Sequence, residues 1–379
     1  MDKNVKFLLR LILIIIVWVY GIIVGNYHYT PYKEIKFLKD YVNYYNYSKD
    51  TISPDYSPLD KNSYLQINPS SLISVNQRNI DSLRKEVIKI IFGTSLLPHD
   101  LPYSISNKID RRYDGLKNLR KIEQFKVKMD YGLISTGYIF KPINSNNQLI
   151  IYHQGHDGDF LFNKSPIDFF VNHGYTVYAF CMPLFGLNNT VTVNHPKLGK
   201  FKLLAHEDFQ YLENPLSYFI KPVIVMLNYA TQHKQFNNIK MAGISGGGWT
   251  TTICPAIDMR IKESYPIAGT YPMYVRFSFP EKNKGDYEQS YGQLYSKINY
   301  LDLYVLGSST NNRKQLQILN KYDPCCYSGD LPLNYQKDVQ NIVRKLEGHF
   351  DLFIDSSHNE GHIISDVAAQ KIVQIINIP

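Results

Sequence analysis

The residues best spaced for chemistry lie well past the middle of the chain, in Gly243-Ile244-Ser245-Gly246-Gly247. The pattern G-x-S-x-G sets a serine on a sharp turn between a strand and a helix. The positions two before and two after it must be small, because a larger side chain there would meet the strand or the helix. The helix that follows turns its free N–H groups towards developing negative charge. Such a serine is a nucleophile for acyl transfer. The surroundings fit: the apolar segment NIKMAGIS runs into GGGWTTTICPAI. The competing reading is the glycine-rich turn of a dinucleotide site. That turn needs G-x-G-x-x-G directly after the first strand of a βαβ unit, and this motif sits deep in the chain.

Two other clusters carry polar chemistry. His153, Gln154, Gly155, His156, Asp157 and Gly158 follow the apolar run Leu149–Tyr152. Loop polarity, or a metal held by the two histidines with Asp157 and Asp159, competes with a catalytic reading of this loop. Near the C-terminus, Asp355, His358 and His362 share the segment DSSHNEGH, and Ser365 or Asp366 can cap a last helix. Between Gly307 and Tyr322 there is no carboxylate, and Asp323 is the first. Asp323 precedes Pro324, so an ordinary turn is its plain alternative.

The elements that must position these residues are legible in the texture. From Lys121, IEQFKVKM alternates, Asp130–Gly132 makes a turn, and LISTGYIFKP follows, which reads as a β-hairpin. Leu149–Tyr152 reads as a buried strand and SPIDFFVNHG as a helix closing on Gly174. YTVYAFCMP is another strand, Pro215–His233 a long helix, and NIKMAGIS a further strand. Strands alternating with helices imply a mostly parallel sheet covered on both faces. Asp81–Phe92 also reads as helical.

From about residue 121 to 379 the chain resembles the α/β-hydrolase superfamily, loosely its dienelactone-hydrolase and prolyl-oligopeptidase-like branch. The serine turn, the His-Gly loop after a strand, and HGYTVYAFCMPLFG after that occur in the family's order, although Gln154 stands where many members have a glycine. The resemblance implies an α/β-hydrolase fold with helices on both faces of a mostly parallel sheet. It implies the order nucleophile, acid, histidine, which assigns Ser245, Asp323 and His362. Asp355 is the alternate acid and His358 the alternate base. It further implies an oxyanion hole from the backbone N–H of Gly246 and of His156 or Gly155. SYPIAGTYP would be the sixth strand and YLDLYVLGSS the seventh. A helix at Tyr335–Leu346 and a strand at Phe350–Asp355 follow. Residues 272–299 form an excursion rich in Tyr and Phe, expected to cap the site. No cofactor and no metal is implied.

The remaining features concern organisation and compartment. The chain has 379 residues, 44% of them hydrophobic and 20% charged, which excludes a wholly disordered protein. The net charge is +8, but lysines and arginines are scattered and no nucleic-acid-binding motif occurs, so nucleic acid is not an expected partner. Leu11–Val24 is an apolar run preceded by Lys3, Lys6 and Arg10. With Phe7–Leu9 it makes a span of just under about twenty residues, long enough to cross a bilayer, and the basic flank points the remainder outwards. We expect an uncleaved signal anchor at 1–25. The alternative is secretion after signal cleavage, but Ile22, Ile23, Val24 and Gly25 make a poor cleavage site. Residues 26–120 read as a tether with a partly helical lead-in, including a helix near 32–45. Residues 121–379 read as the catalytic domain. Cys325 and Cys326 can bond to each other or to Cys181 or Cys254 in an oxidising compartment.

Taken together these features predict a membrane-anchored serine hydrolase acting on small-molecule carboxylic esters through an acyl-enzyme. The alternatives are a serine peptidase of prolyl-oligopeptidase-like type and an inactive hydrolase fold used for binding. The oligomeric state stays open.

Overall fold

The computed structural model describes residues 3–27, 63–156, 158–160, 164–196, 198–232, 236–278, 285–359 and 361–374. The helix expected near 32–45 and Asp157 lie outside the described residues. The chain divides into two compact units, Met1–Ser57 and Pro58–Pro379.

In the first unit the apolar run is part of one helix, α1 (Lys3–Tyr27). Its side chains are described for residues 10–22, and all of these are exposed. Among the described residues no helix is long and apolar enough to cross a membrane, so the expected span is met as a helix and goes unsupported as a membrane crossing.

Among the described residues the second unit is built on eleven strands. They are β1 (Ser104–Lys108), β2 (Leu119–Lys128), β3 (Ile134–Pro142), β4 (Gln148–His153), β5 (Thr176–Phe180), β6 (Thr192–His195), β7 (Gly199–Lys202), β8 (Asn238–Ile244), β9 (Glu263–Ile267), β10 (Lys314–Asn320) and β11 (His349–Asp355). Nine of them form one sheet in the order β1-β2-β3-β5-β4-β8-β9-β10-β11, while β6 and β7 form a separate ladder. The expected hairpin is β2–β3, with Asp130–Gly132 at its tip. The first three strands are antiparallel to their neighbours, and β4, β5 and β8 to β11 run parallel. The parallel strands are apolar on both faces because helices cover both. Leu149 and Ile151 of β4 join the core packed by α2 (Ile80–Phe92), Ser217–Gln232 and Gly246–Ile257, whereas Ile150 and Tyr152 join the core packed by α3 (Lys164–Asn172) and the C-terminal helix Asp366–Val373. We label Ser217–Gln232 α4, Gly246–Ile257 α5, Tyr300–Ser308 α6, Leu333–Lys345 α7 and Asp366–Val373 α8.

Register fixes where the chemistry lies. His153 at the end of β4 stands opposite Gly243 of β8, and Asn320 at the end of β10 stands opposite Asp355 of β11. The loops carrying every candidate side chain therefore leave the same carboxyl edge of the sheet, the usual place for sites on open α/β sheets.

Two expectations are corrected. YLDLYVLGSS is not the seventh strand. Most of it is α6, a helix buried along its whole length and capped by Asn299, whose side chain accepts from the Asp302 N–H. A short, mostly apolar run fits a buried helix as well as a buried strand. The strand at that place in the order is β10, KQLQILN, whose buried Gln315 and Gln317 hide its apolar character. Gln317 donates to the Thr270 carbonyl and accepts from the Tyr335 hydroxyl, so its burial is satisfied.

The second correction concerns the boundary at residue 121. Helix α2 and strand β1 precede it, yet α2 sits in the main core and β1 extends the sheet. Asp302 on α6 accepts from the Ser74 and Val75 N–H groups at 2.7 and 3.1 Å, which ties the lead-in to the domain.

Candidate active site

Ser245 is the turn between β8 and α5. It has φ 58° and ψ −124°, a conformation disfavoured for a residue with a side chain. Its N–H donates to the Ile267 carbonyl at 3.0 Å, and its carbonyl accepts from Trp249 at 2.9 Å. The flanking glycines are required by contact. A Cβ on Gly247 would stand 2.1 Å from the His153 carbonyl oxygen, and one on Gly243 would stand 2.3 Å from the Gly247 carbonyl oxygen. The turn thus locks the serine half-exposed at the head of a fully buried helix.

The loop after β4 closes on this turn. A Cβ on Gly155 would lie 2.6 Å from the Ser245 Cβ and 3.3 Å from its Oγ, so only glycine lets the loop pass Ser245. The His156 ring packs against Gly246: a Cβ there would lie 2.4 Å from the ring Cε1. The three candidate oxyanion residues, Gly246, Gly155 and His156, are therefore brought together beside Ser245. Gly246 opens α5, where N–H groups lack intrahelical acceptors.

His153 is different. It is 2% exposed and stacks on Phe180. Its Nδ1 donates to the Gln154 carbonyl at 2.9 Å, and burial pushes its pKa down to about 4. It is a neutral core histidine, not a member of the site. Gln154, buried where a glycine is common, accepts from the Tyr152 hydroxyl at 2.6 Å.

Asp323 lies in the loop directly after β10, which the corrected strand assignment places closer to a strand end than the sequence implied. Its Oδ2 accepts from His362 Nδ1 at 2.6 Å and from Asn320 Nδ2 at 3.1 Å. Its Oδ1 accepts from the N–H groups of Cys325 and Cys326 at 2.8 and 3.3 Å. Burial pushes the Asp323 carboxyl up, but these donors, led by His362, outweigh it and hold the carboxyl below its ordinary value. Because a carboxylate only accepts, Nδ1 of His362 carries the hydrogen and Nε2 has the lone pair. That Nε2 is buried and has no hydrogen-bond partner. No hydrogen bond joins it to the Ser245 hydroxyl. In ligand-free enzymes such contacts are commonly long and tighten with substrate.

Of the alternates, Asp355 is employed elsewhere, and among the described residues neither ring nitrogen of His358 has a hydrogen-bond partner. Asp355 accepts from the Ser357 N–H at 2.9 Å and hydroxyl at 2.6 Å, and also from the Ser365 hydroxyl. Ser365 in turn caps α8 by accepting from the Ala368 N–H. His358 Nε2 stands 3.9 Å from Asp355, beyond a hydrogen bond. Cys325 and Cys326 are bonded to each other, while Cys181 and Cys254 are buried thiols.

Three residues at this edge escape the sequence reading. Asn320 joins Asp323 to the Ile363 carbonyl and so braces the acid and the histidine loop together. Glu288, fully buried in the excursion, meets both His156 and His206. The closely spaced carboxylates Asp286 and Glu288 within a Tyr-rich segment were the available signal.

No family model matches the chain, and no curated protein matches it. Solved structures do. A methylesterase (BT1017) superposes with a TM-score of 0.53 at 16% identity, over 81% of this chain. The chain spans 64% of that protein's length. Acetyl xylan esterase 1 from Thermoanaerobacterium sp. JW/SL YS485 superposes with a TM-score of 0.50 at 13% identity, over 80% of this chain and 96% of its own. Such identities speak to architecture. With the strand order, the serine turn and the placement of the loops after β4, β8, β10 and β11, they establish that this chain has the fold of the α/β-hydrolase superfamily.

Proposed function

We propose that the protein is a carboxylic-ester hydrolase that works through Ser245, His362 and Asp323. The observation that carries this reading is the Asp323–His362 pair, whose unengaged Nε2 belongs to the same sheet edge as the serine turn. Nε2 takes the Ser245 proton as Oγ attacks the ester carbonyl carbon. The carbonyl oxygen becomes an oxyanion that the N–H of Gly246 and an N–H of the Gly155–His156 loop can receive. As the intermediate collapses, the ester C–O bond breaks, and His362 returns the proton to the leaving alcohol. Water, deprotonated by the same histidine, then releases the acid and regenerates the serine. Asp323 fixes the ring tautomer and stabilises its cation without taking the proton. The two structural neighbours are named for methyl-ester and acetyl-xylan hydrolysis, which supports small ester groups as the substrate class.

The test is covalent. A fluorophosphonate probe labels the folded protein, and Ser245→Ala removes both labelling and turnover of short acyl esters, by at least about 10⁴-fold in kcat. A folded wild-type protein that resists the probe, or equal labelling of the variant, sinks the reading. Faster cleavage of short chromogenic peptides than of esters would make it a peptidase instead.

We also propose that Leu11–Val24 anchors the domain at the outer face of a membrane. Support comes from the apolar run, its basic flank and the exposure of Leu11 to Tyr20 and Ile22. The full chain stays in the membrane fraction after alkaline carbonate extraction, and a chain starting at Pro58 does not. Release of the full chain by carbonate would dismiss the anchor.

A further inference from the structure

The excursion at 272–299 carries a carboxylate that the serine chemistry does not use. Glu288 is fully buried between His156, from the loop after β4, and His206, from the 3-10 turn His206–Tyr211. His156 Nε2 lies 2.9 Å from one Glu288 oxygen, and His206 Nδ1 lies 3.0 Å from the other. One ligand-capable atom from each residue falls within 4.8 Å of the others.

Each imidazole is held from behind. His206 Nε2 lies 3.0 Å from the Pro183 carbonyl, which only accepts, so that nitrogen carries the hydrogen. A neutral His206 then turns the lone pair of Nδ1 towards a carboxylate oxygen. Two acceptors at that distance need a hydrogen or a metal ion between them. His156 Nδ1 lies 3.3 Å from Asp286 Oδ2, which likewise favours hydrogen on Nδ1 and a lone pair on Nε2. A backbone carbonyl behind one ring and a carboxylate behind the other are the outer partners that orient metal-ligating histidines. Two imidazole nitrogens with one carboxylate, leaving a fourth position open, are a zinc-type ligand set. Protons could balance the same charges, but that would bury an imidazolium at His206, which is 4% exposed and ringed by Phe185, Phe209 and Phe219.

We propose that His156 Nε2, His206 Nδ1 and the Glu288 carboxylate bind one divalent transition-metal ion, zinc by its ligand chemistry, and that this ion fastens the excursion to the loop beside Ser245. The His156 ring already rests on Gly246, so the ion would steady the loop that carries the oxyanion donors. The inference is independent of ester hydrolysis, because its readout is metal uptake.

The full chain, stripped with a chelator and loaded with Co²⁺, takes up about one equivalent and shows the visible absorption of a low-coordinate N/O site. Zinc displaces the cobalt and raises the melting temperature of the stripped protein. Glu288→Gln and His206→Gln abolish the absorption, with circular dichroism confirming the fold. Asp286→Asn keeps the three ligands and loses an outer partner, so it weakens zinc by about 10- to 100-fold. Failure of the folded, stripped wild-type chain to bind cobalt or zinc at micromolar concentration overturns the site in favour of a protonated network. Stoichiometric binding by a folded Glu288→Gln variant, or unchanged affinity in Asp286→Asn, also overturns it.

Discussion

Asp323 accepts hydrogen bonds from His362, Asn320 and the N–H groups of Cys325 and Cys326, so the acid is fixed from both sides. An Asn in its place can present an N–H to Nδ1 and so favour the wrong tautomer. Asp323→Asn is therefore expected to lower kcat by about 10⁴-fold with little change in the fold. His362→Ala should be as damaging, whereas His358→Ala should keep most activity; the reverse ranking would move the base to His358. The pair also bears on acid tolerance. The Asp323 carboxyl is depressed in the folded state, so its contribution to stability is complete above the ordinary value of 3.8 and is lost as pH falls through the lowered one. Thermal melting from neutral to strongly acidic pH, compared with Asp323→Asn, reads this as a wild-type advantage that vanishes only at the acid end. At this scale the sequence was informative where chemistry is local. Ser245 announces itself because its turn demands glycines at fixed offsets. Glu288 and His206 do not, because 82 residues separate them and only folding brings them together.

At the scale of elements, the segment after β10 shows how a loop can act through its backbone. The adjacent, mutually bonded Cys325 and Cys326 hold two N–H groups on Asp323 Oδ1. Reduction, or the double change Cys325→Ser and Cys326→Ser, is expected to loosen this clamp and lower kcat several-fold more than it raises KM. Parallel ester kinetics with and without reductant measure it, and an unchanged kcat would show that the clamp is dispensable. The same region explains why strands were harder to read than the site. The buried glutamines of β10 find partners on Thr270, Ser264 and Tyr335, an arrangement visible only once β9 and α7 are packed beside them. In α6 the opposite holds: Asn299 caps a run whose apolar residues give no period, so helix and strand look alike until the ends are known.

At the scale of the whole molecule, the domain begins earlier than composition indicates. The helix α2 is legible in the polar lead-in, but not that its Val87, Ile88 and Ile91 are core residues of the domain or that Asp302 accepts from the Ser74 and Val75 N–H groups. A chain starting at Pro58 should fold and keep ester hydrolysis. A chain starting at Lys121 should be insoluble or molten, because it lacks α2, β1 and the donors to a buried carboxylate. Circular dichroism and melting of the two truncations decide this, and cooperative melting of the shorter one would restore the boundary at 121. The mostly parallel sheet with helices on both faces follows from the alternation of elements. The place where the domain starts does not, since it depends on which amphipathic segment finds a vacant face of the core.

The backbone at Ser245 has one more implication. A positive φ with ψ near −124° is a state that glycine adopts freely and that a residue with a Cβ holds at a penalty of about 1–3 kcal/mol. For folding alone, drift at this position runs downhill towards glycine, and a fold retained merely as a docking scaffold would gain sturdiness by taking that step. The chain instead carries a hydroxyl at a place where the backbone resists a side chain. The proposed ester hydrolysis would account for a serine there, because it needs the hydroxyl at that turn, whereas the proposal of an inert binding module supplies no such need.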